Sequence, residues 1–190
     1  MAGTPEYARV RLMTPAFLTG IVGSLILVIG AALPGGRPSH PTRSAKNWFL
    51  SVGAAIMFVY SILNYQSGAP VFFVLLELLV VVASALLMLN VRESVADAII
   101  LIVSALLVAW SLTLFAGYDT LVFIAGLTGV AIGYVADAGS FRRELALCLG
   151  SGLIALFSFI TGTWVFFWLN VFFCIFSAYH ALAALVRKAS

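Results

Sequence analysis

Charge is what this chain has least of. Only 9% of its 190 residues are charged, 10 Lys and Arg against 7 Asp and Glu, while 63% are hydrophobic. A soluble domain normally carries about 25% charged residues, so a water-facing surface cannot be built from this composition, and mean hydropathy is +1.15. Cysteine is nearly absent as well. Cys148 and Cys174 both fall inside apolar runs, where they read as small packing residues rather than a disulfide framework or a metal site. There are two lysines, Lys46 and Lys188, and both fall at the ends of apolar segments, which excludes a retinal protein with its mid-helix Schiff base. No phosphate loop, HExxH zinc motif or Ser-His-Asp arrangement occurs. An enzyme is not expected, nor are a cofactor, a metal or a nucleic-acid partner.

What is present is a series of apolar runs near twenty residues, the length that crosses ~30 Å of hydrocarbon as a helix. They are continuously apolar, unlike the alternating strands of a membrane β-barrel. The expected class is an all-α integral membrane protein with seven transmembrane helices, over residues 15–33, 47–64, 70–90, 94–115, 120–136, 144–161 and 164–186. Thr14-Pro15 supplies an N-cap and a first-turn proline for the first. A cleaved signal peptide ending at Gly30-Ala31-Ala32 is the competing reading of that segment. Ser94 and Asp97 have capping-box spacing at the start of the fourth.

With seven alternating crossings, one side holds Arg9 and Arg11, and the other holds Arg37, Arg43, Lys46, Arg92, Arg142, Arg143, Arg187 and Lys188. Cytoplasmic loops carry the Lys and Arg excess, so the N-terminus is expected outside and the C-terminus in the cytoplasm.

The chain also resembles itself. Sliding the third span by 93 positions puts Phe73 on Phe166, Ser84 on Ser177 and Glu77 on Asn170. The second matches the sixth at 97, with Leu50 on Leu147, Gly53 on Gly150 and Tyr60 on Phe157. The first matches the fifth at 106, with Phe17 on Phe123, Gly20 on Gly126 and Gly23 on Gly129. Two fused three-helix units can lie parallel only if an odd crossing separates them, which gives the fourth helix a purpose. The expected organisation is therefore a tail over 1–14, a first bundle over 15–90, a linker helix within 91–117, a second bundle over 118–186 and a tail over 187–190.

Glu77 is the sharpest candidate for function. An ionisable group inside an apolar helix is costly and marks a substrate or ion pathway by default. It would bind hydroxyls or a cation, or couple to protons; the structural alternative is an interhelical hydrogen bond. Asn170 falls at the same depth, and its amide offers donors and acceptors. Asn64 and Tyr60 are further substrate-binding candidates. His180 is a candidate gate or proton site, with a structural role equally open. Trp164 and Trp168 suit an interfacial or lipid-facing position. Gly20, Gly23, Gly126, Gly129 and Pro34 are the packing or hinge candidates, since small residues let helices approach closely.

The three-one-three layout, the N-outside orientation and the polar pair in the third and seventh helices resemble the SWEET sugar-transporter superfamily, which is similar in fold to the bacterial nicotinamide riboside transporters. Leu33-Pro34 is similar to the family's Pro-Gln turn, with Gly35 in place of Gln. Arg43 to Asn47 resembles the polar start of its second helix, and Asn170 matches its seventh-helix sugar-binding asparagine, whose third-helix partner is here Glu77. The resemblance implies alternating-access transport of a small polar solute across the lipid bilayer, a sugar first and a nicotinamide riboside-like vitamin second. The homo-oligomeric state is left open. A receptor or structural protein with the same fold is the non-transporting alternative.

Overall fold

The computed structural model describes residues 15–33, 40–137 and 139–189. Within them the chain forms seven α-helices: α1 Pro15–Ala32, α2 Ala45–Gln66, α3 Phe72–Met88, α4 Glu93–Thr113, α5 Tyr118–Val135, α6 Phe141–Ile160 and α7 Trp164–Ala189, with a 3-10 turn at Pro41–Arg43 before α2. All but α3 are long and apolar enough to cross a membrane. The 17 residues of α3 span roughly 26 Å at 1.5 Å per residue.

The outer faces are apolar. In α1 the stripe Leu18, Val22, Leu25 and Ile29 is exposed, while Gly20, Gly23, Leu27 and Gly30 are buried. All four tryptophans, Trp48, Trp110, Trp164 and Trp168, are more than half exposed. A surface of this kind suits lipid, and the protein is an all-α integral membrane protein.

Helix ends depart from the sequence expectation where capping chemistry decides them. Ser44 accepts a hydrogen bond from the Asn47 amide at 3.4 Å, so α2 begins at Ala45 rather than at 47. Ser140 likewise accepts from the Arg143 amide at 3.2 Å, which draws Arg142 and Arg143 into the first turn of α6. The capping box expected at Ser94 and Asp97 does not form. The amides of Val95 and Ala96 already bond to the Arg92 carbonyl at 2.9 Å, so Ser94 lies inside the first turn. At the far end of α3, Asn90 takes φ 53° and the Val91 amide bonds to the Leu86 carbonyl at 3.2 Å, a left-handed cap that stops the helix short of the expected 90. Thr14 and Pro34 lie outside the described residues.

The closest helix pairings are α6 with α7, α5 with α6 and α1 with α2; α1 also meets α7 and α3 meets α5, while α4 bridges α3 and α5. The α1–α2 crossing sets Gly23 against Met57, Leu27 against Gly53 and Gly30 against Leu50. The α5–α6 crossing sets Gly126 against Ile154, Val130 against Gly150 and Gly133 against Leu147. The second set is the first moved on by 103 positions in one helix and 97 in the other. The expected offset of 106 between α1 and α5 is therefore one helical turn too long: Gly23, not Gly20, is the counterpart of Gly126. All four candidate glycines sit at tight crossings. A Cβ on Gly20 would lie 2.9 Å from the Tyr60 ring, and one on Gly129 would lie 2.9 Å from the Gly150 Cα.

One half of the core is aromatic. Phe73 stacks on Phe166 at 4.2 Å between ring centroids. Tyr60 meets Phe166 at 5.3 Å and Phe157 meets Phe73 at 5.5 Å. Phe72 and Phe123 extend the layer, 4.9 Å apart and each against Phe157. All six rings are buried.

Candidate functional site

Below the aromatic layer the helices diverge around a cavity of about 1370 Å³. Its mouth lies where the C-terminal ends of α1, α3, α5 and α7 meet the N-terminal ends of α2, α4 and α6, as alternating crossings require. Lining residues run from Ala32, Lys46, Val91, Glu93, Arg143 and Ala184 at the mouth to Leu27, Leu76, Ile100, Val130, Leu169 and Asn170 at the floor.

Glu77 and Asn170 are both buried and both line the floor. Helical spacing puts them there: Phe73 and Glu77 are four residues apart on one face of α3, Phe166 and Asn170 four apart on one face of α7. The stacked rings thus cap the polar pair directly. Glu77 is 2% exposed, and its Oε2 has no hydrogen-bond partner among the described residues. Asn170 Nδ2 donates to the Phe166 carbonyl of its own helix at 2.9 Å, which leaves its Oδ1 to act as an acceptor. The floor therefore presents the acceptor oxygens of Glu77 and Asn170 together with the second Nδ2 hydrogen of Asn170. Tyr134 joins the lining.

The lining repeats. Each α3 residue in it has the residue 93 positions on, in α7, in it too, including Leu76 with Leu169, Glu77 with Asn170, Ser84 with Ser177 and Leu87 with His180. Lys46 and Leu50 of α2 recur at 97 as Arg143 and Leu147 of α6. Leu27 and Ala31 of α1 recur at 103 as Val130 and Tyr134 of α5. The same one-turn correction that the glycine crossings require thus holds for the cavity wall.

Compared with protein-family models, curated proteins and solved structures, the chain matches none. Its site has to be read from its own geometry.

The other candidates separate. Tyr60 belongs to the aromatic layer, and neither it nor Asn64 is in the cavity lining; the buried Asn64 Nδ2 has no hydrogen-bond partner among the described residues. His180 is at the mouth, exposed, with its ring edge-on to Tyr179 at 5.5 Å. Trp164 and Trp168 face outward, and Asp137 is exposed. The Cys148 and Cys174 thiols touch at 3.4 Å between α6 and α7. Residues the sequence reading did not single out complete the site: Tyr134, the basic pair Lys46 and Arg143, and the acids Glu93 and Asp97 on α4. Two signals would have found most of them. The 97-residue offset lays Lys46 on Arg143, and Glu93 and Asp97 are four apart on one helix face.

Proposed function

We propose that this protein is a transporter that moves a small polar solute across the membrane by alternating access between two parallel three-helix bundles, α1–α3 and α5–α7, joined by α4. The observation that carries the reading is the cavity. It is open at one end, reaches Glu77 and Asn170 at mid-depth, and is sealed beyond them by the Phe73 and Phe166 stack. A receptor or structural protein would have no need to keep that space between its halves, so an open polar cavity favours transport. The shared register of the α1–α2 and α5–α6 crossings supports the repeat, because bundles of one design can exchange roles on rocking.

The mouth faces the cytoplasm in this reading. Arg43, Lys46, Arg92, Arg142 and Arg143 all stand at that end, and cytoplasmic ends carry the basic excess. The resemblance to SWEET proteins puts a sugar first among solutes to test and a nucleoside-like vitamin second. No ATPase motif occurs in the sequence, so transport would be facilitated or ion-coupled.

Counterflow in proteoliposomes against glucose, sucrose, nicotinamide riboside and thiamine tests the reading. The expected result is saturable exchange of a small polar solute, reduced at least tenfold by Glu77→Gln and by Asn170→Ala. Unchanged exchange in both folded variants overturns the site. No exchange of any compound by folded protein counts against transport.

A further inference from the structure

Four of the chain's seven acids line this one cavity: Glu77, Glu93, Asp97 and Glu144. The described Lys and Arg residues contribute Lys46 and Arg143. In a chain whose formal net charge is +3, the lining thus has two more acids than Lys and Arg among the described residues. The excess also has a source. The basic pair belongs to the repeating part of the wall, while each acid is a departure from it. Glu77 stands where the other half has Asn170. Glu144 stands 97 positions after Asn47, which is not in the lining. Glu93 and Asp97 come from α4, which has no counterpart. Lys46 is also engaged elsewhere, its ammonium donating to the Leu33 carbonyl at the end of α1 at 3.0 Å.

The floor sharpens this. A buried carboxyl needs a partner for its charge and for its hydrogen bonds, and Glu77 Oε2 has none among the described residues. A proton on Glu77 would remove the charge, whereas a cation bearing N–H groups would meet both the charge and the hydrogen bonds. Asn170 adds a second acceptor in Oδ1, while one of its two Nδ2 hydrogens is held by the Phe166 carbonyl. What is missing is a cationic donor. Leu76, Ile100, Val130 and Leu169 give the floor a hydrocarbon part beside the hydroxyls of Ser151 and Tyr134, and a space of about 1370 Å³ is far larger than a metal ion needs.

Resting on the transporter reading for its site, we propose that the ligand is an organic amine, whose ammonium N–H groups hydrogen-bond Glu77 and Asn170 while its hydrocarbon part lies on the apolar floor. The acids at the mouth draw it in, and the aromatic stack ends the path. A neutral polyol would bring donors without the charge; a quaternary ammonium would bring the charge without donors.

Isothermal titration of the purified protein with three probes of similar shape separates these: phenethylamine, 2-phenylethanol and trimethyl(phenethyl)ammonium. The expected result is a Kd for the amine at least tenfold below those of the alcohol and the quaternary ion, with the difference lost in Glu77→Gln and largely restored in Glu77→Asp. Equal affinity for amine and alcohol in the wild type overturns the proposal and does not depend on any variant folding. Equal affinity for amine and quaternary ion overturns the N–H requirement, and an unchanged amine Kd in folded Glu77→Gln overturns the site. The two readings fail separately. Amine binding without counterflow of the amine would keep the ligand class and remove transport; counterflow of glucose without amine binding would keep transport and remove the ligand class.

Discussion

Phe73 and Phe166 occupy the same position in α3 and α7, 93 residues apart, and lie ring on ring at 4.2 Å and 14° between planes. Their neighbours repeat the pairing: Tyr60 on Phe166 and Phe157 on Phe73 are one contact made twice, since Tyr60 and Phe157 correspond at 97. A seal built from matching positions closes where α3 and α7 approach and needs no charged latch. It also explains Gly20. The second half carries Phe123 at the corresponding place, but in the first half the Tyr60 ring fills the space a Gly20 Cβ would take.

Removing either stacked ring should loosen the protein. Phe→Ala at a buried position costs about 3–5 kcal/mol, and both rings are 1% exposed or less. Phe73→Ala and Phe166→Ala should each lower the melting temperature in detergent. The double variant should fall short of the sum by roughly 0.5–1.5 kcal/mol, the typical energy of an aromatic pair. Strict additivity would mean the two rings do not act as one unit.

The seal makes accessibility one-sided. Ser84 and Ser177 are corresponding residues that line the cavity on its open side. With Cys148→Ser and Cys174→Ser in the background, Ser84→Cys and Ser177→Cys should react with a membrane-impermeant thiol reagent applied at the mouth. They should react at least tenfold more slowly from the opposite face. Adding Phe166→Ala should raise the slow rate. Equal labelling from both faces of otherwise unaltered protein would show that the aromatic layer does not close the path.

Two glycines of α6 should respond in opposite directions. A Cβ on Gly150 would lie 2.6 Å from the Val130 amide nitrogen and 2.9 Å from the Gly126 carbonyl oxygen. Backbone cannot yield as a side chain can, so Gly150→Ala should destabilise by about 1–3 kcal/mol, as overpacking does. A Cβ on Gly152 would meet only the Cys174 Sγ at 3.7 Å, an ordinary contact. Gly152→Ala should be neutral or stabilising, by up to ~1 kcal/mol, because alanine is the better helix former. Melting temperatures of the two variants decide it, and a stabilising Gly150→Ala would refute the crossing geometry.

Helix number and the polar pair were legible in the sequence because both rest on strong signals: apolar run length, and a carboxyl where none is cheap. The register of α1 on α5 was not. Small residues recur at Gly20, Gly23 and Gly30 in one helix and at Gly126, Gly129 and Gly133 in the other, so a slide of one turn matches just as many glycines. Packing chooses between the two registers, since Leu27 and Val130 must meet Gly53 and Gly150. Tyr60 misled for a related reason. It is polar and one helix face away from lipid, which suits a binding residue, but which half of the bundle is hollow depends on how helices diverge, and no run length records that. The acids of α4 were visible individually. Their membership in the cavity needed the packing that brings α4 beside α3 and α5.

The last prediction concerns which contacts move. Cys148 and Cys174 touch at 3.4 Å across α6 and α7, the most extensive helix pairing in the molecule, and both belong to the second proposed bundle. Under mild oxidation with copper phenanthroline the two thiols should join, adding a cross-link between residues 148 and 174 that a chymotryptic digest identifies and that Cys148→Ser or Cys174→Ser abolishes. If the bundles rock as units, α6 and α7 keep their mutual packing throughout the cycle, and the cross-linked protein should exchange solute at no less than half the rate of the reduced form. If oxidation instead stops exchange in the wild type and leaves Cys148→Ser untouched, α6 and α7 must slide past each other. The moving boundary would then run through the second bundle rather than along the Phe73 and Phe166 stack.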